Sequence, residues 1–388
     1  MLLRIRKLKQ NQNGPFAVAT RLQYGVLSGK VGILLNLLLF AGKLAAASFS
    51  GSMAILADAF NNLSDAGSSI VTLIGFKLSG KKPDLHHPFG HGRMEYISGF
   101  VISVFIIVMG VELARDSVGS IRSPAEVAYS PFIIVILAIS IVVKLYMALY
   151  NTLLSKLFDS PTMKATATDS LSDVCATSAV LVATLLSHHY GVQLDGYVGL
   201  LVSLFILYSG VSSAKDTLEP LLGTPPSREL VDEIEQIVMA HKPAITGMHD
   251  LVVHNYGPGR LMISLHAEVP SSIGVFEAHC IIDDLENELN EKLSCESVIH
   301  FDPVDTDDEE LMYLRSVVED IVCGIDARIT IHDFRYVPGP THTNLLFDIV
   351  VPYGSALDNE MLKKKICEEV VKELPNHSCV IKCDNSFI

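Results

Sequence analysis

Residues 56–76 read LADAFNNLSDAGSSIVTLIGF, and residues 166–186 read TATDSLSDVCATSAVLVATLL. Each is an apolar run of about the length that crosses a bilayer, broken by one polar patch, NNLSD at 61–65 and DSLSD at 169–173. Asn61 and Asp65 are four residues apart, as are Asp169 and Asp173. On a helix that spacing stacks two side chains on one face. Two such helices set face to face make a cage of four oxygen-bearing side chains. A carboxylate at membrane depth is expensive and faces a partner, an ion or water. Three that converge repel one another unless a cation sits among them, so a divalent cation is the natural occupant, and protons are its natural replacement. Asp58, one turn before Asn61, shares roughly that face and reads as support behind the cage rather than as a ligand.

The surrounding chain fits a membrane half joined to a soluble half. Of 388 residues, 49% are hydrophobic, high for a soluble protein. Residues 1–215 hold 17 Lys and Arg against 11 Asp and Glu, while residues 216–388 hold 12 against 32. An acidic soluble half speaks against nucleic acid as a partner and for a surface that gathers cations. Six apolar stretches, at about 24–49, 52–78, 97–119, 131–155, 164–187 and 194–214, read as spans crossing the lipid bilayer. Lys30, Lys43 and Lys144 make the first and fourth less clean. Basic residues gather on the N-terminal tail and on the links after spans 2 and 4, so the positive-inside rule puts both termini in the cytosol. The first residues, MLLRIRKLKQNQNG, have no apolar signal-peptide core, and seven unevenly spaced cysteines do not read as a secreted disulfide framework. The expected location is the cell membrane.

After PLLGTPP at 220–226, whose prolines discourage a helix, SRELVDEIEQIVMAH has helical periodicity at Leu230, Ile234 and Ile237. Two strand patterns, a second helix and a last strand, SVIHFDP, follow. The order αββαβ then returns: HDL at 249–251 matches HDF at 332–334, and LHAEVP matches FDIVVP, at an offset close to 83. The predicted fold is a membrane all-α bundle of six transmembrane helices (1–215) followed by two tandem α+β cytosolic domains (216–306 and 307–388). Cys379 and Cys383 share a strand face and read as core residues before metal ligands.

Taken in order, LADAFNNLSD, HHPFGHGRMEY, DSLSD, HDL, LHAEV, EAH and IHFDP resemble the cation diffusion facilitator family of divalent-metal exporters, over about residues 20–305. The resemblance implies metal-for-proton antiport by alternating access, in a homodimer joined through cytosolic domains. It implies a transport site at Asn61, Asp65, Asp169 and Asp173. It also implies a loop site at Asp84, His87 and His91, with His86 spare, and a cytosolic site at His249, His266, His279, His300 and Asp302. In the second copy Asp348 stands where the first has His266 and Lys382 where it has His300, whereas His332 and Asp384 remain.

Hard oxygen donors suit Mn2+, whereas imidazole and thiolate favour Zn2+. Zinc exporters of the family typically place a histidine in the transport quartet. The asparagine here resembles the manganese-exporting branch, with iron or zinc behind it. No GxxxxGK[ST] pattern is present, which argues against direct ATP coupling, and no GxSxG nucleophile elbow supports the further reading of a membrane hydrolase that uses paired carboxylates and a metal. The reading is therefore a transporter, not an enzyme. The alternative from another class is a membrane-tethered metal sensor, which would need the histidines but not the intramembrane acids.

Overall fold

The computed structural model describes residues 15–50, 53–122, 131–190, 195–352 and 358–386. The described chain forms two compact units. One holds the residues up to 224 together with 255–261, and the other holds 225–254 with 262 onward.

The first unit is helical: α1 (Pro15–Ser50), α2 (Met53–Ser79), α3 (Met94–Arg122), α4 (Pro131–Phe158), α5 (Pro161–Tyr190) and α6 (Asp195–Leu222). Proline opens α4 and α5, a position where its missing N–H costs nothing. Helix α6 runs past the boundary expected at 215 and stops at Gly223, whose φ of 102° only glycine adopts freely. Among the described residues, four helices are long and apolar enough to cross a membrane: α1, α3, α4 and α6. The expectation of six such spans is corrected to that extent. Helices α2 and α5 have the length, but the two polar patches dilute their apolar character.

Helix α1 lies along α2, α3 along α6, and α4 along α5, whereas α2 and α5 meet only sparsely. Small residues set the close approaches, as expected where lipid supplies no hydrophobic drive between helices. A Cβ on Gly29 would fall 2.9 Å from the Leu73 backbone, and one on Gly196 would fall 2.8 Å from the Ser117 carbonyl oxygen. Gly29→Leu is therefore expected to push α1 off α2 and cost about 1–3 kcal/mol, as overpacking does. A thermal melt in detergent reads this directly, and an unchanged midpoint would contradict the packing described. Polar links reinforce the helix pairs. Ser103 Oγ donates to Ser213 Oγ at 2.9 Å across α3 and α6. Arg21 holds buried Glu95 through two hydrogen bonds, 2.6 and 3.2 Å, and donates to the Phe158 carbonyl, joining α1, α3 and the end of α4.

The second unit has two three-stranded sheets. The first half contains α7 (Arg228–Met239), β1 (Gly247–Asn255), β2 (Leu261–Pro270), α8 (Val275–Leu293) and β3 (Cys295–Val304), with strand order β1-β2-β3. Ser227 caps α7 by accepting from the Leu230 amide. Its core is built on Ile234, Ile245, Ile263, Leu265, Leu285 and Leu289. The second half contains α9 (Glu309–Ile325), β4 (Thr330–Val337), β5 (Thr343–Pro352), α10 (Asn359–Glu373) and β6 (His377–Ser386), with order β4-β5-β6. Asp308 caps α9 by accepting from the amides of Glu310 and Leu311. Its own core holds Leu314, Val318, Leu345, Phe347, Ile349 and Ile366. Strand β5 runs antiparallel to β4 and parallel to β6, with His332 opposite Asp348 and Asp348 opposite Lys382. The second half therefore has the same element order as the first. The expected division at 306/307 falls between β3 and α9, inside one compact unit.

Cys379 and Cys383 pack against this second core. Burial beside Cys367 pushes the Cys379 thiol up to about 12. Four residues along a strand span roughly 13 Å, too far for both sulfurs to hold one ion.

Candidate functional site

Helix α2 carries Asn61 and Asp65, and α5 carries Asp169 and Asp173. The three carboxylates are buried and Asn61 is half-buried. Asp65 and Asp173 are brought together across the sparse α2–α5 junction. Both point an oxygen at one atom, Lys144 Nζ of α4, at 2.6 Å each. Lys144 is 3% exposed, Asp65 2% and Asp173 4%, so this three-helix ion pair is shut off from water. Asp169, one turn before Asp173, adds its charge to the same group without touching the ammonium. Thr72 and Thr166 hydroxyls, 3.1 Å apart, tie α2 to α5 nearby. Of the expected four-oxygen cage, the structure brings Asp65 and Asp173 together on a lysine ammonium, while Asp65, Asp169 and Asp173 do not form one of the close clusters of metal-ligating groups found among the described residues. Sequence reasoning passed over Lys144 as a blemish in span 4. A lone lysine near the middle of an apolar run was the signal that could have found it. Lys43 of α1 is likewise buried. The side chain of Asp58 lies outside the described residues.

The link between α2 and α3 gathers Asp84, His87 and His91. His87 Nδ1 is 3.4 Å from Asp84 Oδ1, and His91 Nε2 is 3.5 Å from Asp84 Oδ2. The backbone amides of His86 and His87 both donate to the Asp84 carboxylate, and the His87 bond is the main reason its carboxyl lies below the usual range. Pro88 and a left-handed Gly90 (φ 84°) turn the chain so that His91 returns to Asp84. His86 stays outside the cluster.

In the second unit, adjacent strands β1, β2 and β3 place His249, His266 and Asp302 side by side. His266 Nδ1 is 2.8 Å from Asp302 Oδ2, and His249 Nε2 is 3.3 Å from the same oxygen. His300 stands at the exposed edge, its Nε2 3.3 Å from Asp302 Oδ1. Two imidazoles and a carboxylate are a suitable donor set for a borderline divalent ion. His279 does not join them. It is exposed on α8, outside the clusters formed among the described residues, because the helix presents that position to solvent.

In the second half, Lys382 Nζ donates to Asp348 and Asp384 at 3.2 and 3.0 Å. An ammonium therefore takes the place that His300 holds in the first half.

A family model described as the cation efflux transmembrane domain matches residues 29–222, and one described as the cation efflux protein cytoplasmic domain matches residues 226–304. An uncharacterized transporter of Methanocaldococcus jannaschii is 30% identical over 274 residues, covering 70% of this chain and 95% of that protein. The cation-efflux pump FieF of Pectobacterium atrosepticum is 30% identical over 272 residues, covering 69% of this chain and 89% of its own. The FieF pump of an Escherichia coli strain is 27% identical over 267 residues, covering 69% and 88% respectively.

Proposed function

The chain belongs to the cation efflux family, a family of membrane transporters for divalent metal ions, and from that premise we propose that it exports manganese from the cytosol in exchange for protons. Asn61, Asp65, Asp169 and Asp173 are the residues we assign to the transport site. The observation that carries this reading is that two carboxylates, one from each of two helices, already converge on a single cation, the ammonium of Lys144. A divalent ion fits the same convergence and brings more charge to three buried carboxylates. Lys144 is then a tethered stand-in: it compensates the carboxylates when no metal is bound and must leave their lone pairs when metal arrives.

The choice of manganese rests on donor chemistry. All four proposed ligands are oxygens, without the imidazole or thiolate that would favour zinc. The proposal further takes all six long helices as spans with both termini cytosolic. Residues 307–388 are read as a second copy of the cytosolic domain, and a homodimer is expected through these domains. Reconstitution in liposomes under an imposed pH gradient tests the reading. Manganese influx coupled to proton movement is expected to outrun zinc and iron. Zinc at an equal or higher rate would refute the donor argument for manganese, and absence of flux with every metal would refute transport.

A further inference from the structure

The same dipeptide, His-Asp, stands at 249–250 and at 332–333, in corresponding places on the first strand of each half of the second unit. Both aspartates hold a left-handed backbone, with φ of 51° at Asp250 and 52° at Asp333. That region is sparsely used by residues with a side chain, and aspartate and asparagine tolerate it better than most. Asp333 lies at a break in the β4–β5 register, between His332 and Arg335, where a bulge re-aims the neighbouring side chains.

The two histidines meet there. Their ring centroids are 4.4 Å apart, and their side chains are only 7% and 5% exposed. No nitrogen of either ring makes a hydrogen bond; the approach of His249 Nε2 to Asp302 lacks the alignment. Four buried imidazole nitrogens without a hydrogen bond are a costly arrangement for groups that could pair. The Asp250 carboxylate lies between them. Its Oδ2 is 3.6 Å from His249 Nδ1 and its Oδ1 is 3.5 Å from His332 Nε2. Those separations are long for hydrogen bonds but suit groups that share an ion at about 2.0–2.2 Å. One ligand atom from each of the three residues lies within 4.8 Å of the other two.

We infer that His249, Asp250 and His332 bind a divalent cation, Zn2+ by their chemistry, that clamps the two α+β halves together. Two imidazoles and one carboxylate leave a fourth position open for water. A cavity of about 920 Å³, lined by these three residues together with Met248, Thr330 and Asp384 among others, gives an ion access. His332 has another acidic neighbour, with Asp384 Oδ2 at 3.8 Å. That side already holds a cation, because Lys382 bridges Asp348 and Asp384. The free coordination is therefore toward Asp250. The site differs from the first-half cluster in taking His249 through Nδ1, whereas that cluster faces Nε2, and in requiring a residue from the second half. Because a neutral imidazole has one lone pair, both ions are held at once only with His249 as the bridging imidazolate. It does not depend on the transport reading.

The test counts zinc per chain on the full-length protein in detergent, with Zn2+ as the only metal supplied, for wild type, Asp250→Asn, His332→Gln and His266→Gln. Asparagine matches aspartate in size and accepts the left-handed backbone, so Asp250→Asn removes the ligand charge without disturbing the chain. Asp250→Asn and His332→Gln are each expected to bind one Zn2+ fewer than wild type and to lose the zinc-induced rise in melting temperature. His266→Gln is expected to keep the ion that they lose. Co2+ substitution should give absorption bands in wild type that are weakened in the same two variants. The inference is overturned if Asp250→Asn, melting like the metal-free wild type, binds as many ions with affinity unchanged within twofold. It is equally overturned if His266→Gln and Asp250→Asn lose the same ion. Should His332→Gln fail to fold, Asp250→Asn alone decides.

Discussion

Asp173→Ala is expected to reduce metal flux in liposomes by on the order of a hundredfold or more, with the protein still folded. The size follows from what metal sites lose: removal of even an outer-sphere partner commonly costs 10–100-fold in affinity, and Asp173 is assigned here as a direct ligand. The folded state survives because Lys144 keeps Asp65 as its other partner at 2.6 Å. Asp216→Ala is the matched control. Asp216 is a carboxylate on α6 that pairs with the exposed Lys164, away from the convergence on Lys144, and its loss should leave flux within a few-fold of wild type. Flux by Asp173→Ala at a rate near wild type would remove α5 from the transport site.

Lys144→Met should have the second large effect, and it has an unusual sign. Without metal, the substitution leaves the buried carboxylates with one fewer compensating cation. Removing one partner of a buried ion pair typically destabilises by about 3–5 kcal/mol. The metal-free variant should therefore melt well below wild type. Added Mn2+ should restore more stability to the variant than to wild type, because the ion no longer competes with an ammonium for Asp65 and Asp173. Ligand stabilisation grows as RT ln(1 + [L]/Kd), so a lower Kd appears as a steeper rise in melting temperature with Mn2+ concentration. Transport should show a lowered KM, by roughly tenfold for each 1.4 kcal/mol of competition removed, together with slower turnover because the ion leaves less readily. Lys144→Arg keeps the charge and should lie between the two. A lysine acting only as a structural strut would give a different pattern, with lost stability that metal does not restore and an unchanged KM. That pattern would sink the stand-in role.

Much of this could be read from the sequence, where local rules govern. The six long helices follow from runs of apolar residues, and the pairing of Asn61 with Asp65 and of Asp169 with Asp173 follows from helical spacing alone. The αββαβ order of each soluble half was readable from periodicity and turn residues. What escaped was set by contacts between distant segments. Lys144 belongs to a helix whose own sequence says only that a charge is out of place, and its role exists because α2 and α5 each aim a carboxylate at it. His332 looked like the remnant of a lost site, since Lys382 replaces one ligand. Its other neighbour, Asp250, comes from the opposite half and could not be placed by spacing. His279 is the reverse case. A likeness of sequence assigned it to the cytosolic cluster, but the helix turns it outward.

The close seam at Gly29 bears on how such a machine can move. A glycine whose hypothetical Cβ would fall 2.9 Å from its neighbour's main chain lets the two helices pack backbone to backbone. Helix α2, which bears Asp65, is thereby mated to α1, and α6 is mated to α3 by Gly196. The loose junction is the one between α2 and α5, where the carboxylates face each other. If the chain exchanges metal for protons as proposed, this junction, crossed by the Thr72–Thr166 contact and the Lys144 bridge, is where the two carboxylates would have to part. On the proposed reading, the α1–α2 pair is expected to move as a single piece, with Asp65 carried on it toward or away from Asp173 across a sparsely packed junction.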